Sequence, residues 1–387
     1  MSIDIAPTLD VRARQIAFDT TSRNSNLELI AWVEAFLSGR GIASARVANA
    51  DGSKANLVAL IGPRVEGGVV LSGHTDVVPV DGQAWTSDPW KMIGRDGKLY
   101  GRGVADMKSF LALALAHVDA AQAAPLKRPI ILAFSYDEEV GCLGAPDLIA
   151  HLTRTLPKAE AAIIGEPTSM KVVSGHKSIR SFLVEVEGKE AHSSLVDDGV
   201  SAVMEAVKLM ALVAEMAREA RAAADPATPF SPPGATMTIG RVEGGTAVNI
   251  LARQCMFAWD LRAPPEADPD AIEVRFRMAA AEIDADIKRR SGGVGGVRVT
   301  RRSGSPGLAP VRDSAAETLA RALTGDNSAR VVSYAAEAGL FQHAGVPAVL
   351  CGPGSIEQAH QPDEWIEVAQ IEEGALFMRR LIERLSV

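Results

Sequence analysis

The stretch Phe134-Ser135-Tyr136-Asp137-Glu138-Glu139-Val140-Gly141 follows the apolar run Ile130-Ile131-Leu132-Ala133. The run has the length and composition of a buried strand, and three successive carboxylates stand where it should end. Like charges at the rim of a low-dielectric interior are costly unless a cation or a proton sits among them. The stretch therefore reads as one wall of a metal site at the end of a core strand.

Working outward, strand-like and helix-like segments alternate. An apolar stripe of Ile16, Leu29, Ile30, Val33, Phe36 and Leu37 predicts a helix over residues 10–40. Strands are expected at 56–61, 69–73, 130–135 and 161–164, with helices over 108–121 and near 145–152. This alternation predicts an α/β sheet with helices on both faces. The pattern changes near residue 178. Strands at 181–187, 236–242, 255–261 and 297–301 and helices at 199–224 and 269–288 follow the order β-α-β-β-α-β of a ferredoxin-like fold. The expected architecture is a two-domain α/β metallohydrolase. Residues 1–177 and 305–387 form its catalytic domain, and residues 178–304 an inserted ferredoxin-like α+β lid or dimerisation domain.

Composition narrows the function. The chain has 387 residues, enough for two domains, and a net charge of -8 that argues against nucleic acid or an anionic membrane as partner. The run Phe110–Ala116 is far too short to span a membrane. Met1-Ser2-Ile3-Asp4-Ile5 lacks a signal-peptide pattern. Cys142, Cys255 and Cys351 have no metal-like spacing and make no even disulfide set. A cytoplasmic location is expected.

Polar residues recur where strands should end. Ser72-Gly73-His74-Thr75-Asp76 allows His74 and Asp76 to face one way, with Asp76 a candidate carboxylate to orient the imidazole. Glu166 follows Ile163-Ile164-Gly165, and His360 follows the apolar run 347–351. Gly101-Arg102-Gly103-Val104-Ala105-Asp106 runs into a helix; its third glycine is missing and no apolar strand precedes it, which disfavours a dinucleotide fingerprint. Ligands of open α/β sheets bind beyond the carboxyl ends of the strands. Imidazole and carboxylate without thiolate suit two divalent ions, Zn²⁺, Co²⁺ or Mn²⁺. Asp106, Glu139, Glu166 and a hydroxide balance their charge with His74 and His360 neutral, which leaves Glu138 over. Adjacent side chains diverge, so one of Glu138 and Glu139 binds metal and the other handles protons.

These motifs, in this order along essentially the whole chain, resemble the zinc-dependent amidohydrolase/peptidase family. The resemblance implies that His74 and Glu166 hold one ion, Glu139 and His360 the other, and that Asp106, whose bond to Met107 the family often holds cis, bridges them. It implies Glu138 as general base, Asp76 as the acid orienting His74, and two zinc ions, with cobalt the alternative. His192 in Ala191-His192-Ser193-Ser194 resembles a lid histidine that reaches a partner's site in dimeric members, which implies a homodimer through the inserted domain. Asn249 and Arg262 lie in stretches resembling substrate-contacting segments, and both are candidates for the substrate's α-carboxylate. A proline common after the asparagine motif is absent from Asn249-Ile250-Leu251-Ala252. Ser355–Glu364 and Glu337-Ala338-Gly339 are most similar to the branch that deacetylates N2-acetyl-L-ornithine to L-ornithine and acetate, in arginine biosynthesis. There Glu337 would meet the substrate's ammonium, or else cap the next helix. Other expectations are hydrolysis of succinyl-diaminopimelate or another small N-acyl amino acid and, outside the enzymes, a non-catalytic metal-binding protein. His117, His151 and His343 are expected to pack or face solvent, and His176 is ambiguous.

Overall fold

The computed structural model describes residues 4–387, so the first three residues of the stretch read for a signal peptide lie outside it. Two compact units divide the chain. The first runs up to Gly175 and includes Pro310–Val331 and Ala336–Val387; the second comprises His176–Ala309 and Val332–Ala335.

The first unit is built on a six-stranded mixed sheet, ordered Ser44–Ala48, Ala55–Ile61, Ile130–Ser135, Gly68–His74, Ala159–Pro167 and Ala348–Gly352. The last four strands run parallel, and all of their residues but Glu160 are buried. Near-continuous apolar runs such as Ile130-Ile131-Leu132-Ala133-Phe134 fit that position because helices cover parallel sheets on both faces. Leu57, Leu71, Leu132, Phe134 and Ile163 pack with residues of Ala6–Ile16, Leu27–Ser38, Lys108–Ala116 and Val368–Leu385. The alternate residues Val58, Val70, Ile131, Ile164 and Leu350 are buried as well.

The single helix expected over 10–40 is two, Ala6–Ile16 and Leu27–Ser38. The polar run 19–26 between them binds other parts of the unit. The Asn26 side-chain amide donates to the Ala55 carbonyl at 2.8 Å and to Thr75 Oγ1 at 2.9 Å. The helix expected over 108–121 likewise breaks at His117, whose Nδ1 lies 2.8 Å from the Leu113 carbonyl. The edge strand Ser44–Ala48 was not anticipated; its residues are half-buried or exposed and carry little β-pattern.

The second unit is a four-stranded antiparallel sheet ordered Thr236–Gly244, Gln254–Ala263, Ser178–Glu187 and Gly296–Ser305. Helices Ala202–Ala222 and Pro269–Ser291 complete the β-α-β-β-α-β order. The Asp268 carboxylate accepts from the N–H groups of Asp270 and Ala271, at 2.9 and 3.0 Å, and caps the second helix. Trp259 stacks on Phe182 and meets Phe276 at a tilt within its core. No helix among the described residues is long and apolar enough to cross a membrane.

Gly165, one residue before Glu166, has no room for a side chain: a Cβ there would lie 1.9 Å from Phe110 Cγ, which is buried in the helix Lys108–Ala116. Gly165→Ala should therefore destabilise the chain by about 1–3 kcal/mol or more, seen as a lower urea midpoint; an unchanged midpoint would contradict this packing.

Candidate metal centre

His74 is the last residue of its strand and is 1% exposed. Its Nδ1 lies 2.9 Å from the main-chain carbonyl of Asp76, and its Nε2 lies 3.0 Å from Asp106 Oδ1. A carbonyl can only accept, so Nδ1 carries the hydrogen and neutral His74 turns its Nε2 lone pair toward a carboxylate. Two acceptors at that separation need a proton or a metal ion between them.

The orienting role expected of Asp76 is thus performed by its backbone. Its carboxylate, 3.7 Å from Nδ1 at Oδ1, accepts instead from the N–H groups of Glu138 and Glu139, at 3.1 and 3.2 Å, and from Ser22 Oγ at 2.7 Å. It clamps the turn that follows Ile130–Ser135. Lys54 pairs with Asp137, whose φ of +55° is left-handed, and also donates to the Ser22 carbonyl. Ser22 and Lys54 carried no sequence signal of this role because their partners are distant in the chain.

Asp106 precedes the helix Lys108–Ala116, and its bond to Met107 is cis. Its second oxygen lies 3.3 Å from His360 Nε2, and that nitrogen is 3.0 Å from Glu139 Oε2. One carboxylate thus stands between two imidazoles. Ligand atoms of His74, Asp106 and Glu139 lie within 4.8 Å of one another, as do those of His74, Glu138 and Glu166. Glu139 Oε1 and Glu166 Oε1 are buried with no hydrogen-bond partner among the described residues. Orphaned carboxylate oxygens and a lone pair aimed at an acid are the donor set that divalent ions satisfy.

Charge tells the same story. Burial, then the neighbouring acids, push Glu138 and Glu166 well above the usual carboxylate range despite an opposing His74. Burial and Asp106 bring Glu139 up to about 7. Burial opposes ionisation of Asp106 too, but hydrogen bonds from His360 and His74 hold its carboxyl low. Bonds to Asp106 and Glu139 raise His360 to about 10. Burial works against protonation of His74, yet Asp106, Glu138 and Asp76 together raise it well above the ordinary imidazole value. Without a cation, the cluster gathers protons.

Glu337 stands just before the helix Ala338–His343 but makes no side-chain cap. It is buried, with Ser72 Oγ 3.4 Å from its Oε2; burial first raises its pKa, against hydrogen bonds from Ser135 and Ser72.

Three other expected residues belong to the second unit. His192 is exposed, its Nδ1 2.8 Å from Ser194 Oγ. It bridges to Ile250, while Ser193 donates to the Asn249 carbonyl at 3.0 Å, so His192 and Asn249 share one loop pair. Arg262, 3.2 Å from Asp260 Oδ2, lies at the far end of the strand that begins at Gln254. About eight extended residues, roughly 26 Å, separate the two ends. Asn249 and Arg262 of one chain thus lie at opposite ends of that strand. His176 is buried beside the Lys177 carbonyl, and burial lowers its pKa to about 4.

Imidazoles and carboxylates gathered beyond the ends of parallel strands, with the donor set of divalent ions, are the kind of centre a metal-dependent hydrolase uses. The chain belongs to peptidase family M20/M25/M40, whose family model matches residues 70–384. It is 34% identical to acetylornithine deacetylase of Myxococcus xanthus over 92% of this chain and 91% of that one. It is 35% identical to the protein of that name in Proteus mirabilis (strain HI4320), over 86% and 83%. In fold it is similar to a tripeptidase of Staphylococcus aureus subsp. aureus mu50, with a TM-score of 0.75, 20% identity and full coverage of both chains. A metallo-carboxypeptidase of Sulfolobus solfataricus also has a TM-score of 0.75, at 17% identity over 99% of this chain and 100% of that one.

Stability should report the charge directly. Glu138, Glu139 and Glu166 keep protons in the folded state that the unfolded chain releases near pH 4.5, and His74 and His360 keep protons released unfolded near pH 6.5. The folded state then binds more protons, so stability falls as pH rises. Asp106, held low, changes stability only in acid. Chelator-stripped protein should lose several degrees of Tm, on the order of 1–2 kcal/mol, between pH 5.5 and 8.5. Saturating zinc should abolish or reverse the trend; a flat profile for stripped protein would refute it.

Proposed function

We propose that the chain hydrolyses N2-acetyl-L-ornithine to L-ornithine and acetate with two zinc ions, as a cytoplasmic homodimer. The observation that carries this reading is the agreement of whole-chain relatives bearing the name acetylornithine deacetylase with a site of the required donor types. His74 and Glu166 would hold one ion, Glu139 and His360 the other, and Asp106 both, consistent with its placement between the two imidazoles. When bound, such ions lower the pKa of water and polarise an acyl carbonyl.

Glu138 is the acid left over. Its raised proton affinity, first from burial and then from Glu139, Glu337 and Asp106, suits a group that takes a proton from the attacking water and delivers it to the leaving amine. Its backbone is pinned to Asp76, which limits its travel. His192 is assigned to the oxyanion, where one donor contributes about 3 kcal/mol. The separation of the His192–Asn249 loop pair from Arg262 favours a homodimer, in which one copy supplies Arg262 and the other supplies His192 and Asn249 to a single substrate. Glu337 is assigned to the substrate's side-chain ammonium, because a buried carboxylate that meets only hydroxyl donors favours a nearby cation.

Glu138→Ala should keep about two zinc ions per chain by elemental analysis and lose roughly 10²- to 10⁴-fold in kcat. Full activity would remove Glu138 from proton transfer. The zinc-loaded wild type should prefer N2-acetylornithine over succinyl-diaminopimelate and N-acetylmethionine by roughly tenfold or more in kcat/KM, about 1.4 kcal/mol. Glu337→Gln should erode that preference, whereas equal losses on all three substrates would leave Glu337 a support beneath the strands.

A further inference from the structure

Glu364 lies four residues beyond His360 and is 1% exposed. Its Oε1 accepts from the N–H groups of Ala105 and Asp106, at 2.7 and 3.1 Å. Its Oε2 accepts from the Gly103 N–H at 3.0 Å and from Arg102 Nη1 at 2.8 Å. One carboxylate thus gathers three main-chain donors of the loop that aims Asp106, and its own carbonyl accepts from the Gly101 N–H at 3.1 Å.

The other side of this hub reaches His360. Arg102 Nη2 donates to Gln83 Oε1 at 2.5 Å, Trp85 Nε1 donates to the same oxygen at 3.0 Å, and Gln83 Nε2 donates to the His360 carbonyl at 2.8 Å. His360 needs such a restraint because its φ of +63° is left-handed. The neighbouring Asp363 carboxylate accepts from the Thr86 N–H at 2.9 Å. The loop of Asp106 and the loop of His360, more than 250 positions apart, are tied to one buried ion pair.

Filling that volume does not require charge, since a buried ion pair is seldom more stable than apolar packing. A carboxylate is needed for a different task, that of a strong acceptor for several N–H groups at once. We infer that Glu364, acting through Arg102 and Gln83, is the positioning residue that sets Asp106 against His360 and so controls the affinity of the ion shared with Glu139. The inference rests on the two-ion reading above. His74 is outside its reach, being held by the Asp76 carbonyl. Asp106 serves both ions in that reading, but His360 serves only the ion shared with Glu139, so that ion bears the larger loss.

Zinc affinity measured in chelator-buffered solution, with metal content per chain, tests this on the full-length protein. Glu364→Gln should weaken one of two zinc ions by about 10- to 100-fold, so that one per chain remains at limiting zinc. Raising free zinc should restore kcat with KM unchanged, which a merely misfolded variant would not do. Gln83→Ala, a half-buried substitution that leaves the Glu364–Arg102 pair intact, should weaken the same ion by a smaller factor and carries the test if Glu364→Gln does not fold. Two ions held with wild-type affinity in the folded variants would overturn the inference. Wild-type protein that takes up no zinc would instead overturn the two-ion reading beneath it.

Discussion

The first unit answers to one constraint: carboxylates crowded at the ends of buried parallel strands, with no Lys or Arg among the described residues paired to them. The nearby candidates are committed elsewhere. Arg102 pairs with Glu364, Lys54 with Asp137, and Lys108 donates to the carbonyls of Gln15 and Phe18. Among the described residues two imidazoles, His74 and His360, face the acids, and each already lies against more than one carboxylate. Buried like charges in that state must be neutralised from outside the chain, by protons or by metal ions. The site is thus an electrostatic deficit that the fold holds open.

Holding it open takes a second layer of bonds, and the layer is dense. Thr75 Oγ1 donates to the Ser135 carbonyl at 2.7 Å and accepts from Asn26, tying the ends of two neighbouring strands to the break between the first two helices. Asp76 spans the same gap, fixing His74 by its carbonyl and the Glu138–Glu139 turn by its carboxylate. Close backbone packing completes it: a Cβ on Gly352 would lie 2.1 Å from the Gly165 carbonyl oxygen. Rotamers locked in this way keep donor atoms near metal-binding separations before any ion arrives.

How much of this was legible depended on whether the cause was local. The strand Ile130–Ser135 was readable to the residue because apolar composition and length are local properties. The acids and histidines stood out because polar groups directly after apolar strands have few other uses. The break at residues 19–26 carried turn-forming residues and was still read through, since the apolar stripe continues on both sides. Its purpose was out of reach, as Ser22 and Asn26 act on residues some 30 to 55 positions later. Glu364 shows the same limit: the position was visible beside His360, but its partners lie about 260 positions earlier. That Asp76 would orient His74 by its carbonyl and not its carboxylate is a matter of ångströms, which no spacing encodes.

The pair Glu138 and Glu139 shows how neighbours can be given different work. Both N–H groups point at Asp76, so the backbone is shared and only the side chains diverge. Glu139 reaches His360 on the side of Asp106, at 3.0 Å. Glu138 turns toward His74 and Glu166, and the Cys142 thiol, returned to it by a tight turn, lies 3.3 Å from its Oε1. A thiol is a weak donor, so it occupies that oxygen without fixing the charge of the carboxylate. In the proposed mechanism Glu138 must both gain and lose a proton in each cycle. A strong partner such as Arg102 would hold it ionised and a fully apolar wall would hold it neutral, whereas a thiol on one side and an imidazole field on the other leave both states within reach.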